Sequence, residues 1–202
     1  YVAAQFFAHL PAGEAKAQAS LTYGGYTSLV YATGILGGMI ADRYLGYQRS
    51  IILGGLLMAV GCFMLLSPEI HLFLIGLAVI VAGNGLFKPN ISTMVGKLYA
   101  PDDVRRDSGF TIFYMGINAG AFVAPLITAV WIGANYGYKY GFLAAAIGMI
   151  FGIAVFQVRK GMLGHVGKSP AGREGWGPVL NVLVGAILLV PVIYFLLSQS
   201  EI

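Results

Sequence analysis

Leu72-Phe73-Leu74-Ile75-Gly76-Leu77-Ala78-Val79-Ile80-Val81-Ala82-Gly83 is an unbroken apolar run. It opens at His71, and helical character can continue to Leu98. That is long enough to cross a bilayer, which needs about 20 apolar residues. Lys88 lies seventeen residues after His71, the lone charge before Lys97. A lysine at such depth costs roughly 2.5–3.5 kcal/mol on insertion scales, so it is expected to face a water-filled path, a ligand or a partner charge. The competing reading is snorkelling of the ammonium to the headgroups. From Lys88 to Lys97 the helix rises about 14 Å at ~1.5 Å per residue, beyond the reach of the side chain.

Working outward, the chain is 58% hydrophobic and 10% charged, with 29 glycines in 202 residues. Its mean hydropathy is +0.79. This composition excludes a soluble domain and specifies an all-α integral membrane protein. Six stretches are long enough to span: 20–41, 50–66, 71–98, 108–133, 139–158 and 178–197. Residues 1–10 read as the end of a further helix, too short to span and without the basic flank of a signal peptide. The spacings Gly34/Gly38, Gly116/Gly120, Gly137/Gly141 and Gly148/Gly152 predict close helix–helix approaches.

Charge sorts by loop. Arg43 and Arg49 share one loop, Lys97, Arg105 and Arg106 the next but one, and Arg159, Lys160, Lys168 and Arg173 the one after that. The alternate loops hold only Lys16 and Lys139. The positive-inside rule therefore makes the loops at 42–49, 97–107 and 159–177 cytoplasmic. The net charge of +4 calls for no nucleic-acid partner, and the single cysteine, Cys62, sits inside an apolar span. Every acidic residue (Glu14, Asp42, Glu69, Asp102, Asp103, Asp107, Glu174, Glu201) lies in a loop or at a helix end, and His9, His71 and His165 are likewise peripheral. The intramembrane cluster of ionisable groups that an enzyme needs is not there, nor is a set of metal ligands. A channel remains a rival reading on composition alone.

Three strings narrow the choice. Gly37-Gly38-Met39-Ile40-Ala41-Asp42-Arg43-Tyr44-Leu45-Gly46-Tyr47-Gln48-Arg49 resembles the loop between the second and third helices of the major facilitator superfamily, in the GGxxADxxLG form of the proton-dependent oligopeptide transporters. Gly83-Asn84-Gly85-Leu86-Phe87-Lys88-Pro89-Asn90-Ile91-Ser92 is similar to that family's fourth-helix signature, and Phe113-Tyr114-Met115-Gly116-Ile117-Asn118-Ala119-Gly120 to its fifth-helix FYxxINxG signature. The resemblance implies the N-terminal six-helix bundle plus one further hydrophobic helix. Residues 1–158 would hold the end of helix 1 through helix 6, 159–177 a cytoplasmic linker, and 178–202 the first of a helix pair inserted between bundles.

The same resemblance implies a secondary active transporter in a bacterial inner membrane. It would carry di- and tripeptides with protons by alternating access, use no cofactor beyond the coupling proton, and work with a C-terminal bundle outside this stretch. The same fold carrying nitrate or a drug-like molecule is the nearer alternative. Substrate binding falls by resemblance to Lys88, Asn118, Tyr31 and Tyr114. Lys88 would also serve proton coupling, with carboxylates of a first-helix ExxER motif that would lie upstream of Tyr1. Gly38, Asp42, Arg43, Gly46 and Pro89 would be gating or structural. Open alternatives are Tyr26 or Tyr23 in place of Tyr31, interhelical packing for Asn118 and Tyr114, and for Pro89 either a kink or packing geometry alone. Because the three strings fall in one bundle and alternating access needs two, residues 1–202 alone are expected to give no peptide uptake in liposomes; measurable uptake would refute the one-bundle reading.

Overall fold

A computed structural model describes residues 2–199; Tyr1 and residues 200–202, Glu201 among them, lie outside it. The described chain is helical throughout, without strands. Helix α1 spans Val2–Phe6, α2 Ala12–Ile40, α3 Tyr47–Met64, α4 Ile70–Lys97, α5 Arg105–Pro125, α6 Ala134–Tyr136, α7 Tyr138–Arg159 and α8 Gly177–Ser198. Wide π-helical turns at Ala41–Leu45 and Leu126–Gly133 extend α2 and α5, and a 3-10 turn at Lys160–Leu163 follows α7. Five helical segments are long and apolar enough to cross a membrane: α3, α4, α5 with its extension, α7 with its 3-10 turn, and α8. The sixth expected span, 20–41, is the larger part of α2, which starts earlier, behind Pro11. Its mixture of glycine, serine, threonine and tyrosine with aliphatics makes α2 less apolar than the others.

Helix α4 is the central stave, packed against α3, α2 and α8. Glycines decide how closely. A Cβ on Gly37 of α2 would sit 1.8 Å from the Gly85 carbonyl oxygen of α4, one on Gly54 of α3 2.5 Å from the Gly83 oxygen, and one on Gly61 2.7 Å from the Gly76 oxygen. Pro89 belongs to the same design. Having no N–H, it leaves the carbonyl four residues earlier, that of Gly85, without its helical donor. This is the oxygen at which the Gly37 Cα–H points, a weak C–H···O contact in place of a lost hydrogen bond. The helix continues through Pro89 as far as Lys97. Asn90 ties the crossing again, donating Nδ2–H to the Gly37 oxygen at 3.1 Å, and Thr33 donates its hydroxyl to the Val81 oxygen at 3.2 Å.

The expected glycine pairs need correction. Cβ positions on Gly34, Gly38, Gly116, Gly120, Gly148 and Gly152 meet nothing within 4 Å. Only Gly141 closes on a neighbour, the Thr128 oxygen, 2.5 Å from its would-be Cβ, while Gly137 takes a left-handed turn at φ 109°. A four-residue spacing shows that one helical face is small, but not which face another helix covers. Helix α5 shows the same thing on a larger scale: none of its residues is buried. It is held near its start, where Gly109 abuts Tyr99 and Phe110 abuts Gly96, and beyond its end, where Thr128 meets Gly141.

The basic loops meet at one end. Gly46 N–H donates to the Ala41 oxygen at 2.9 Å, closing the π turn, and Gly46 adopts φ 75° with the Lys168 oxygen 2.4 Å from where a Cβ would stand. Gln48 N–H donates to the Gly167 oxygen and Gln48 Nε2–H to the Val166 oxygen, while Ser169 returns its hydroxyl to the Leu45 oxygen. Arg49 donates to the backbone oxygens of residues 173, 174 and 175. The linker at 159–177 is thus clamped to the loop at 42–49. Lys97 joins them, its Nζ 4.5 Å from the Tyr47 ring centre. In the loop before α5, the Arg105 guanidinium and backbone N–H hold the Asp103 carboxyl down to about 2. That carboxylate stays ionised from neutral pH down to pH about 2, so this clasp does not sense physiological protons.

Helix α8 packs on the bundle rather than beside it. Ile193 and Leu197 are buried against Leu74, Ala78 and Val81 of α4, and His71 Nδ1 lies 2.8 Å from Tyr194 Oη. The glycine crossings yield a contrast. Gly37→Ala should destabilise the fold by about 1–3 kcal/mol, because a backbone carbonyl cannot move aside, whereas Gly148→Ala, into open space, should stay within about 0.5 kcal/mol; thermal unfolding of the purified protein in detergent distinguishes them.

Candidate functional site

Lys88 projects from α4 nine residues before the helix ends, with its ammonium 4.7 Å from the centre of the Tyr31 ring on α2. The crossing fixed by Gly37 and Gly85 brings the two helices near enough for this. Of the three tyrosines on α2, Tyr31 alone has this position: Tyr26 is half-buried among Leu74, Val81 and their neighbours, and Tyr23 is 70% exposed. Lys88 and Tyr31 are both exposed, so the pair borders open space and not a packed core. Among the described residues the sole ion pair is Arg105–Asp103, so no carboxylate answers Lys88.

Magnitudes show what this leaves over. A cation over an aromatic face is worth about 0.5–1 kcal/mol when exposed and about 2 when desolvated. The insertion cost is roughly 2.5–3.5 kcal/mol. Tyr31 alone therefore leaves Lys88 undercompensated, and the site has room for an anionic group.

Asn84 lies one turn before Lys88 on α4, on the same face. Its Oδ1 is buried and has no hydrogen-bond partner among the described residues. In the sequence, the one signal that marks Asn84 is its i, i+4 relation to Lys88. On α5, Tyr114 stacks on Phe110 with ring centres 6.4 Å apart, and Asn118, one turn on, is exposed without a hydrogen-bond partner among the described residues. No hydrogen bond or ring contact joins the α5 pair to Lys88 and Tyr31. The structure thus assembles the α2–α4 part of the candidate site and leaves the α5 part facing open space.

At the basic end, Asp42 Oδ1 accepts the Tyr47 hydroxyl, and Lys97 lies over the same ring. Asp42 sits just past the end of α2, at the negative pole of a helix dipole, where a neighbouring donor such as the Tyr47 hydroxyl offsets the unfavourable field. Arg43 turns away, toward a groove beside α8. No group of three or more His, Cys, Asp or Glu side chains is placed to hold a metal ion among the described residues.

A model of the POT family matches residues 48–184, which include all of α4, all of α5 and the linker at 159–177. The chain belongs to the POT family. This POT-family chain is 43% identical to a di-/tripeptide transporter of Lactococcus lactis over 196 residues, covering 94% of the chain and 39% of that relative. Among solved structures, it superposes with TM-score 0.81 on a bacterial homologue of the human drug peptide transporters, at 28% identity over 92% of the chain and 43% of that structure. A second, a peptide transporter POT in complex with alafosfalin, gives TM-score 0.71 at 40% identity over 91% of the chain and 38% of that structure. The chain thus spans about two fifths of the length of these POT relatives. They are transporters, not enzymes.

The Asp42–Tyr47 contact lies at the basic end of the POT fold, in the π turn beyond the end of α2 and so well removed from Tyr31. Asp42→Asn in the full-length protein should leave the affinity of a ligand held at Lys88 nearly unchanged; an affinity loss as large as that of Asn118→Ala, by equilibrium binding, would place Asp42 in that site instead.

Proposed function

We propose that this chain is the N-terminal bundle of a proton-coupled symporter of di- and tripeptides. The observation that carries the reading is Lys88, an ammonium at membrane depth with an aromatic face beside it and no carboxylate partner among the described residues. The carboxylate terminus of a peptide supplies the missing charge and is held by a compact point donor. Asn84 and Asn118 each offer an amide that can both donate and accept, which suits a peptide backbone. Tyr31 and Tyr114 supply aromatic walls with a hydroxyl at the rim. The di-/tripeptide transporters among the relatives favour peptides over nitrate, which would need the cation but not the amides.

Coupling follows from the same charge. A carboxylate supplied from outside residues 1–202 competes with the peptide for Lys88: protonated, it releases the lysine to substrate, and ionised, it takes the lysine back. Alternating access then requires a second bundle rocking against this one around the midplane site. The π turn at Ala41–Leu45 and the Asp42–Tyr47–Lys97 cluster act at the cytoplasmic end, where the basic loops gather, and Gly46 sets the geometry of that end. The protein works in a bacterial inner membrane, with lipid, protons and peptides as its partners.

The test is Lys88→Ala in the full-length protein reconstituted in liposomes. Uphill, proton-driven peptide accumulation should disappear, while counterflow exchange, which moves no net proton, survives at reduced affinity. Lys88→Arg should also impair accumulation, since a planar fork replaces a point charge. Accumulation at the unmodified rate in Lys88→Ala would make the lysine structural.

A further inference from the structure

The groove into which Arg43 turns runs between α2, α4 and α8, with a volume of 820 Å³. Its walls away from the basic end are apolar: Leu36 and Ile40 of α2, Ala82 and Leu86 of α4, Ala186 and Leu189 of α8. Thr33 reaches it too, but its hydroxyl is engaged with the Leu29 and Val81 oxygens. At the basic end the lining changes character, to Arg43, Tyr44, Arg173 and Asn181. No acidic side chain lines it.

We infer that this groove binds an anionic phospholipid of the cytoplasmic leaflet, its phosphate between Arg43 and Arg173 and one acyl chain along the small-residue face of α8. Three observations converge. The first is charge: both arginines lack a carboxylate partner, since the sole ion pair among the described residues is elsewhere and Asp42 accepts from Tyr47. The Arg173 guanidinium is held 4.2 Å over the Tyr44 ring, which fixes its position at the mouth. Basic pockets between membrane helices on the cytoplasmic side are suited to anionic headgroups.

The second is depth. The α8 lining runs from Gly177 to Leu189, a rise of about 18 Å at ~1.5 Å per residue. Half of a ~30 Å hydrocarbon core is about 15 Å, so the groove is one leaflet deep. Trp176, 85% exposed immediately before α8, stands at the level where interfacial aromatics stand. The third is room. A Cβ on Gly185 would meet nothing within 4 Å, so α8 lies back from its neighbours along the groove while Ile193 and Leu197 pack tightly nearer the other end.

The experiment is native mass spectrometry of the full-length protein in detergent, titrated with phosphatidylglycerol or with phosphatidylethanolamine of the same chains. Preferential retention of phosphatidylglycerol is expected, weakened roughly thirtyfold in Arg43→Gln/Arg173→Gln, the loss of two basic residues at the headgroup level. Gly185→Leu, which keeps both arginines but fills the groove, should also lose retention; it carries the test if the double variant does not fold. Glycerol 3-phosphate, a headgroup without chains, should not displace the lipid. Unchanged retention in a folded variant, equal retention of phosphatidylethanolamine, or displacement by glycerol 3-phosphate would each overturn the proposal. Absence of retention by the unmodified protein would overturn it as well.

Discussion

The near-contact of backbone with backbone along α4 is the constraint on which the rest depends. In lipid there is no hydrophobic force to push helices together, so they associate through close packing and polar contacts. Gly37 on Gly85, Gly54 on Gly83 and Gly61 on Gly76 provide that closeness on two sides of one helix. Pro89 converts one crossing into something more specific, because it frees the Gly85 carbonyl that Gly37 then covers. Asn90, fully buried, locks the register by reaching across to the Gly37 oxygen. With α2 and α4 so fixed, Tyr31 and Lys88 meet without either having to be packed.

Polar chemistry is divided between two levels of the bundle. At depth there is one cation, one aromatic face and an unsatisfied Asn84 oxygen, a small and undercompensated set that an incoming ligand can complete. At the basic end the polar groups are largely paired with one another: Asp42 with Tyr47, Lys97 with the same ring, and Arg49, Gln48 and Ser169 with the backbone between the two loops. The first arrangement suits recognition. The second suits a hinge or latch, since many modest contacts hold a loop that can still be released.

Much of the fold was legible because the bilayer leaves few options. A chain with these apolar runs must form helices to satisfy its backbone, and the predicted limits of α3, α4, α7 and α8 differ from the observed ones by one to three residues. The alternation of basic and neutral loops placed three loops together, and the contacts of Lys97 with Tyr47 and of Lys168 with Gly46 bring them there. Lys88 stood out from its cost alone. The early start of α2, the π turns and the binding of the linker by Arg49 left no such trace, since each depends on partners far away in sequence.

The sequence by itself determined the class of molecule, the helices and the residue with the most unusual energetics, because hydropathy and the cost of a lone cation in an apolar span are properties of local composition. Only the tertiary structure decided which glycines are contacts. Gly34/Gly38 and Gly37 all read as small positions on α2, yet only Gly37 meets another backbone, because rotation about the helix axis is set by the partner and not by the spacing. It also decided that Tyr31 rather than Tyr26 or Tyr23 faces Lys88, that Asn84 is left with an unanswered oxygen, and that α8 opens a groove beside α2. These are relations between faces of different helices, and a face has no partner until the helices are placed.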